Sequence, residues 1–256
     1  MLRHNNDSLI IRHVARRIHV SRLSQGELPL DAREAHHARD VLRLMDGEIV
    51  EVFDDAGSTA QAALIYREPR DVFVRVASIQ PPPASSVDLV IVSAIPKGSR
   101  ADWMVEKLSE LGVTAFVPLA TARSVVLPEG QQKRQRWERI AAEAAKQSRR
   151  AGVMRIESMM KLDDLIKHAA GDHVLGAYGS TAANSLPIAD AVARWQSSSP
   201  KSRWIIAIGP EGGWTEHEIA TLDQANFAAM KLTSSILRIE TAAVAAAAII
   251  KSILQS

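Results

Sequence analysis

Three glycines fall within five residues, Gly209-Pro210-Glu211-Gly212-Gly213, directly after the apolar run Trp204-Ile205-Ile206-Ala207-Ile208. A run of that length and composition reads as a strand, so the glycines occupy the loop at its carboxyl end. Glycine leaves backbone amides bare, and a ligand can then approach the main chain with no side chain in between. An ordinary strand-to-helix turn would use the same residues, because short glycine motifs have low specificity. Further on, Arg238 and Glu240 stand where an alanine-rich apolar stretch, Ala242 to Leu254, begins. A cation and a carboxylate there can form an ion pair, or Glu240 can sit at a helix N-terminus, where the dipole favours it. Other chemistries lack their signatures. The chain has no G-x-G-x-x-G, no G-x-x-x-x-G-K-[ST] and no G-x-S-x-G, which argues against an ordinary dinucleotide fold, a P-loop and a nucleophile elbow. Cysteine is absent, excluding disulfides and thiolate metal ligands. Histidines and carboxylates show no metal-ligand spacing, and the adjacent His36 and His37 would point about 100° apart on a helix.

The elements around the loop are regular. Thr215 and Glu218 have capping-box spacing and open a helix through Ile219 and Leu222. Met230-Lys231-Leu232 is a short strand, followed by Thr233-Ser234-Ser235 and Ile236-Leu237-Arg238. The alanine-rich stretch is a buried helix that packs backbone close to backbone. It is too short to span a bilayer and carries Lys251 in its last turns. Upstream, Val87 to Ala94 is a strand, and Lys97-Gly98-Ser99-Arg100 leads into a helix through Trp103, Val105, Leu108 and Leu111 that Gly112 stops. Then follow strand Ala115 to Leu119, helix Gln132 to Arg149, strand Met154 to Ile156, helix Leu162 to Ala170 and strand Val174 to Tyr178, which contains Gly176. This alternation predicts an α/β class with a parallel sheet, its ligand beyond the carboxyl ends of the strands.

Residues 1–80 read as a separate β-rich unit, with strands at Ile18 to Val20, Glu48 to Phe53, Ala62 to Tyr66 and Val72 to Val76 and turns at Asp46-Gly47, Asp54 to Gly57 and Glu68 to Arg70. Asp31 caps a helix spanning Arg33 to Leu44. Residues 81–86 are a proline- and serine-rich linker, leaving 87–256 as the second domain. Net charge is +2, too small for a bulk cationic argument. The distribution says more: residues 123–155 hold nine basic residues against three acidic ones, and arginine outnumbers lysine 22 to 9. The planar guanidinium suits phosphate, although GC-rich codon usage produces the same bias. No apolar window is long enough to cross a membrane and no signal peptide is visible. With the lack of cysteine, this fits a cytoplasmic protein.

The segments Gly209 to Gly213 and Leu232 to Ala243 resemble the two C-terminal motifs of the SPOUT methyltransferases, and more narrowly the bacterial enzymes that methylate N3 of a uridine in small-subunit ribosomal RNA. Collinear matches run through Arg16-Arg17-Ile18-His19-Val20, His36-His37, Val41 to Leu44, Asp46-Gly47 to Gly57, Lys97-Gly98 with Arg100, Glu106-Lys107, Glu110 to Gly112, Arg123-Ser124, Glu143 and Lys146-Gln147-Ser148. The resemblance implies a SPOUT-type parallel sheet with a C-terminal trefoil knot, a small N-terminal PUA-like β-barrel that contacts RNA, and a homodimer. It implies S-adenosylmethionine as cofactor, bound in a bent form by Gly176, Gly209, Pro210, Glu211, Gly212, Gly213, Leu232, Ser234, Ile236, Leu237 and Arg238. It implies RNA contacts at Arg16, Arg17, His36, Arg43, Lys97, Arg100, Arg123, Lys146 and Arg149. The partner would be small-subunit ribosomal RNA in an assembled 30S particle, with neither membrane nor metal involved.

Uracil N3 carries a proton, and its lone pair is delocalised into two carbonyls, so methylation needs a base or a cation that stabilises the imide anion. Arg238 is the expected cation; Glu240 is the expected base, or the group that orients Arg238. Two positions depart from the family pattern: Thr233-Ser234-Ser235 stands where Gly-Pro-Arg often precedes Ile-Leu-Arg, and Arg149 where glycine commonly follows Gln-Ser. A ribose methyltransferase of the same superfamily and a non-catalytic RNA-binding protein of the same fold are the alternatives. The intact glycine loop argues against the second, and the barrel match against the first.

Overall fold

The computed structural model describes residues 16–67, 71–82, 88–127, 130–171, 173–198 and 203–254. The expected turn at Glu68 to Arg70 and most of the proline linker lie outside them. By internal contacts the chain divides into two compact units, Met1–Pro82 and Pro83–Ser256.

The first unit contains β1 (Arg17–Val20), β2 (Gly26–Pro29), α1 (Ala32–His36), β3 (Ile49–Asp54), β4 (Thr59–Arg67) and β5 (Asp71–Val76). They form one sheet in the order β1-β3-β4-β5-β2, with β1 parallel to β3 and the other pairs antiparallel. Strand β5 alternates exposed or half-buried Asp71, Phe73 and Arg75 with buried Val72, Val74 and Val76, the two-residue period of a sheet with one covered face. Ile18, Val50, Val52, Leu64 and Val74 fill the core beneath it. Among the described residues the ladder of the expected small barrel runs from β1 at one end to β2 at the other. Asp31 caps α1 by accepting from the Glu34 amide at 2.8 Å. The predicted helix ends early: a wider π turn, His37–Val41, takes over, and Arg43 has left-handed backbone with φ 53°. Strand β2 was missed because Gly26 and Pro29 at its ends read as turn residues.

The second unit contains β6 (Asp88–Ser93), α2 (Arg100–Glu110), β7 (Ala115–Ala120), α3 (Gln131–Gln147), β8 (Arg155–Ile156), β9 (Met160–Lys161), α4 (Leu162–Ala169), β10 (Val174–Gly179), β11 (Leu186–Pro187), α5 (Ile188–Ser198), β12 (Arg203–Ile208), α6 (Glu216–Gln224), β13 (Ala228–Lys231) and α7 (Ile239–Leu254). The sheet is parallel, in the order β11-β13-β10-β12-β6-β7-β8, with β9 beside β7. Strands β6 and β12 are buried for most of their length, as continuous apolar strands covered on both faces must be. Helix α2 stops at Gly112, whose φ of +89° a side chain would resist.

Helix α7 packs against α2, α5, β6 and β12. Its buried residues Ile239, Ala243, Ala246, Ala247 and Ile250 recur every three or four positions, so one alanine-lined stripe faces the core and lets the backbones approach closely. Because β12 lies between β10 and β6 while β13 lies outside β10, the loops following β10, β12 and β13 emerge side by side at one edge of the sheet. That edge is where an open parallel sheet binds its ligand.

Candidate active site

Those three loops enclose a cavity of about 500 Å³. The β12 loop closes on itself where the Gly213 amide donates to the Pro210 carbonyl at 2.9 Å; Gly213 takes φ +71°. A Cβ on Gly209 would come within 2.8 Å of the Trp214 ring, so glycine there is needed for close packing. Trp214 in turn donates from Nε1 to the Gly179 carbonyl at 3.0 Å, tying the β12 loop to the end of β10. Tyr178 meets the Trp214 ring edge to face and donates to Asp223 Oδ1 at 2.9 Å. Burial, then the Asp223 carboxylate, push the Tyr178 phenol up to about 12.

The predicted capping box is present: Thr215 accepts from the Glu218 amide, and Glu218 accepts from the Thr215 amide at 2.8 Å. Glu218 does more than cap. It is 6 % exposed, and its other oxygen accepts from the Ala122 amide at 2.8 Å, holding the turn after β7 against the glycine loop. Arg123, from that turn, donates from Nη1 to the carbonyls of Gly212 at 2.7 Å and Trp214 at 3.4 Å.

The β13 loop owes its shape to one side chain. Thr233 Oγ1 accepts from the Ser235 amide at 3.0 Å and donates to the Ser235 carbonyl at 2.9 Å. The Thr233-Ser234-Ser235 departure therefore supplies its own local turn.

Gly209, Pro210, Glu211, Gly212, Gly213, Leu232, Ile236 and Leu237 line the cavity, as do Thr233, Ser235, Ile239 and Ala242. Ser234 and Arg238 are outside the lining. Gly176 lies in mid-strand, where a Cβ would collide with the Phe227 ring at 2.6 Å; it is a packing glycine, and Gly179 is the β10 glycine at the cavity. The run Gly179-Ser180-Thr181-Ala182 also lines it. Sequence reasoning missed this run, although a small polar segment after an apolar strand was a readable sign.

Arg238 is exposed and has no side-chain partner among the described residues. It does not pair with Glu240. Glu240 Oε1 instead lies 3.5 Å from Arg100 Nη1, which is 3.6 Å from Glu211 Oε1. Glu240 is 6 % exposed, and its Oε2 has no hydrogen-bond partner. The carboxylate expected to orient Arg238 thus faces Arg100, reached across 140 residues of sequence.

The expected RNA contacts divide. Arg43 and Arg149 are exposed, both with left-handed backbone; Lys97 is exposed and Lys146 half-buried. Arg16 pairs with Glu48 and His36 with Asp40, at the surface. Arg17 is 7 % exposed, bonded to Glu51 at 2.7 Å and stacked on Phe53, so the sheet holds its guanidinium inward. Arg123 gives its Nη1 to the glycine loop, as described. Among the described residues no group of three or more His, Asp or Glu side chains is placed to hold a metal ion.

Two family models define the class: an RNA methyltransferase domain over residues 83–251 and an RNA methyltransferase PUA domain over residues 30–77. Among individual proteins, the chain is 32% identical over 236 residues to ribosomal RNA small subunit methyltransferase E of Synechocystis, covering 91% of this chain and 75% of that one. It is also 32% identical to the Bacillus subtilis enzyme of that name, over 83% and 85% of the two chains. The Neisseria gonorrhoeae ribosomal RNA small subunit methyltransferase E, solved bound to S-adenosyl methionine, superposes with a TM-score of 0.80 at 26% identity, over 93% and 98% of the chains. The chain belongs to the ribosomal RNA small subunit methyltransferase E family.

Proposed function

We propose that this protein transfers a methyl group from S-adenosylmethionine to N3 of a uridine in small-subunit ribosomal RNA. The observation that carries this reading is the cavity at the carboxyl edge of the sheet, walled by bare glycine backbone and flanked by an uncommitted arginine. The walls suit the cofactor: glycine backbone and small side chains for a flat adenine, Leu232, Leu237 and Ile239 for an apolar body, and Arg123 and Glu211 for its charged end. When bound, the cofactor supplies an electrophilic methyl group on a positively charged sulfur. The chain's task is to hold the uracil and handle the N3 proton. Arg238, exposed one residue before α7, stabilises the imide anion as the proton leaves. Arg100 is held by Glu240 and Glu211 to meet the substrate, and Glu240 serves as its positioning counter-charge.

Residues 1–80 form the RNA-holding domain and 87–256 the catalytic domain, joined by the linker at 81–86. Arg16, His36, Arg43, Lys97, Lys146 and Arg149 contact RNA, which is taken as an assembled 30S particle. The C-terminal segment passes through a loop as a trefoil knot, which would explain why so many of its residues are small; the chain trace in a crystal of the cofactor complex tests this.

Purified protein given cofactor and unmodified small subunits should create one reverse-transcriptase stop, because N3-methylation removes the proton that Watson–Crick pairing uses. Mass spectrometry should identify the product as N3-methyluridine. A methyl group on ribose or on another base would overturn the assignment, and an equal rate on naked RNA would overturn the particle preference.

A further inference from the structure

Arg123 lies in the basic stretch that suggested phosphate contact, yet it is tied to the glycine loop and lines the cavity. Its carrier turn is rigid. The Ser124 amide donates to the Thr121 carbonyl at 3.1 Å, the Thr121 amide to Ser124 Oγ at 3.0 Å, and the Ala122 amide to buried Glu218 at 2.8 Å. The side chain then runs along the bare face of Gly212, its Cδ 3.3 Å from where a Cβ would stand. One guanidinium nitrogen, Nη1, is spent on the Gly212 and Trp214 carbonyls. Nε and Nη2 have no partner among the described residues. Half of a planar fork is thus fixed to the loop while the other half remains open to a ligand.

Only two of the described residues lining the cavity are charged, Arg123 and Glu211. Glu211 repels an anion and is already near Arg100 at 3.6 Å. From this we infer that Arg123 is the carboxylate-recognition residue of the cofactor site. Its Nη1 is anchored by the glycine loop, and its Nε and Nη2 donate to the α-carboxylate of S-adenosylmethionine. Preorganisation is what makes this effective. An arginine fixed by two carbonyls loses little rotamer freedom on binding, and charge-assisted donors are stronger than neutral ones. The same contact reports occupancy to the loop, since carboxylate, Arg123 and Gly212 are joined in one chain of hydrogen bonds.

This inference rests on the cofactor reading above, and calorimetry on the full chain separates the two. The probes are S-adenosylmethionine and its decarboxylated analogue, which keeps the sulfonium and adenosine. The wild type should prefer the intact cofactor by about tenfold, the worth of a charge-assisted hydrogen bond. Arg123→Gln removes the charge and the Nε/Nη2 fork, and should reduce that preference to less than about twofold. Arg123→Lys keeps a charge and should retain part of it. Neither variant should change affinity for small-subunit RNA. An undiminished preference in Arg123→Gln, or a loss of RNA affinity with the preference intact, overturns the inference while leaving the cofactor assignment standing. A wild type that binds neither probe overturns the cofactor reading itself.

Discussion

At the scale of single residues, the site separates groups that shape the cavity from groups with capacity to spare. Gly209, Gly213 and Thr233 are spent on geometry; Arg238 is not. On the reading proposed above, an exposed arginine beside the glycine-loop cavity, with no carboxylate partner among the described residues, acts on charge that develops during reaction. Arg238→Ala should therefore lower turnover by about 100-fold or more, the scale expected for removing an electrostatic stabiliser, while the cofactor dissociation constant moves less than about threefold. Single-turnover rates and calorimetry would check it; equal losses in both would reassign Arg238 to cofactor binding. The glycine loop from Gly209 to Gly213 was legible as a bend after a strand because that meaning is local, whereas the role expected of Arg238 came from the family resemblance. Arg123 and Glu240 were not legible, because their partners Gly212 and Arg100 are 89 and 140 positions away and only the folded sheet brings them together. The basic run told where cations lie, not which way they point.

At the scale of elements, alternating strand and helix signals gave the parallel sheet, since each apolar run had one length and one period. What escaped was short or atypical. Strands β9 and β11 have two residues each. Helix α5 shows Ile188, Val192 and Trp195 at helical spacing, but serines and the masking effect of Pro187 before it hid its start. Helix α7 was read as an apolar rod, yet it buries a charge. Lys251 is 7 % exposed, and burial, then the nearby Arg150, lower its ammonium from 10.5 to about 8, with Asp88 opposing. Arg150 is itself held by the carbonyls of Ser109 and Val113, so the two cations cannot separate. The folded pKa lies below the unfolded one, so between pH 8 and 10.5 the unfolded chain binds a proton that the native state has released. Native stability should therefore rise with pH across that window. Below it, the fold carries a buried ammonium at a cost. Lys251→Met removes the charge and keeps a long side chain. It should raise the melting temperature at pH 7 by about 2–4 °C, and the alkaline rise should disappear. Calorimetric scans from pH 7 to 10 would show both, and a lower melting temperature at pH 7 would contradict this account.

At the scale of the whole molecule, α7 has more apolar surface than its own subunit covers. Its inward stripe is buried, but Ala242, Val244, Ala245, Ala248, Ile249 and Ile253 on its other faces are only half-buried, and Ile236 just before it is 86 % exposed. Scattered apolar residues on a surface need no explanation; a contiguous set along one helix, beginning at the glycine-loop cavity, does. We propose that two copies pair through this helix as an isologous homodimer, which would place the substrate-facing groups of one subunit beside the cavity of the other. Light scattering of the purified chain at micromolar concentration should then give twice the mass of 27.9 kDa. Replacing Ala245, a half-buried residue on the outer face of α7, with glutamate should dissociate the pair. Shared sites add a sharper test. If each active site draws on both subunits, mixing inactive Arg238→Ala with an inactive variant damaged in Arg43 or Arg149 should restore part of the activity, because one of the two sites in a mixed dimer is then whole. A monomeric mass, or a dimer whose dissociation leaves methylation unchanged, would mean that the apolar face of α7 has another use.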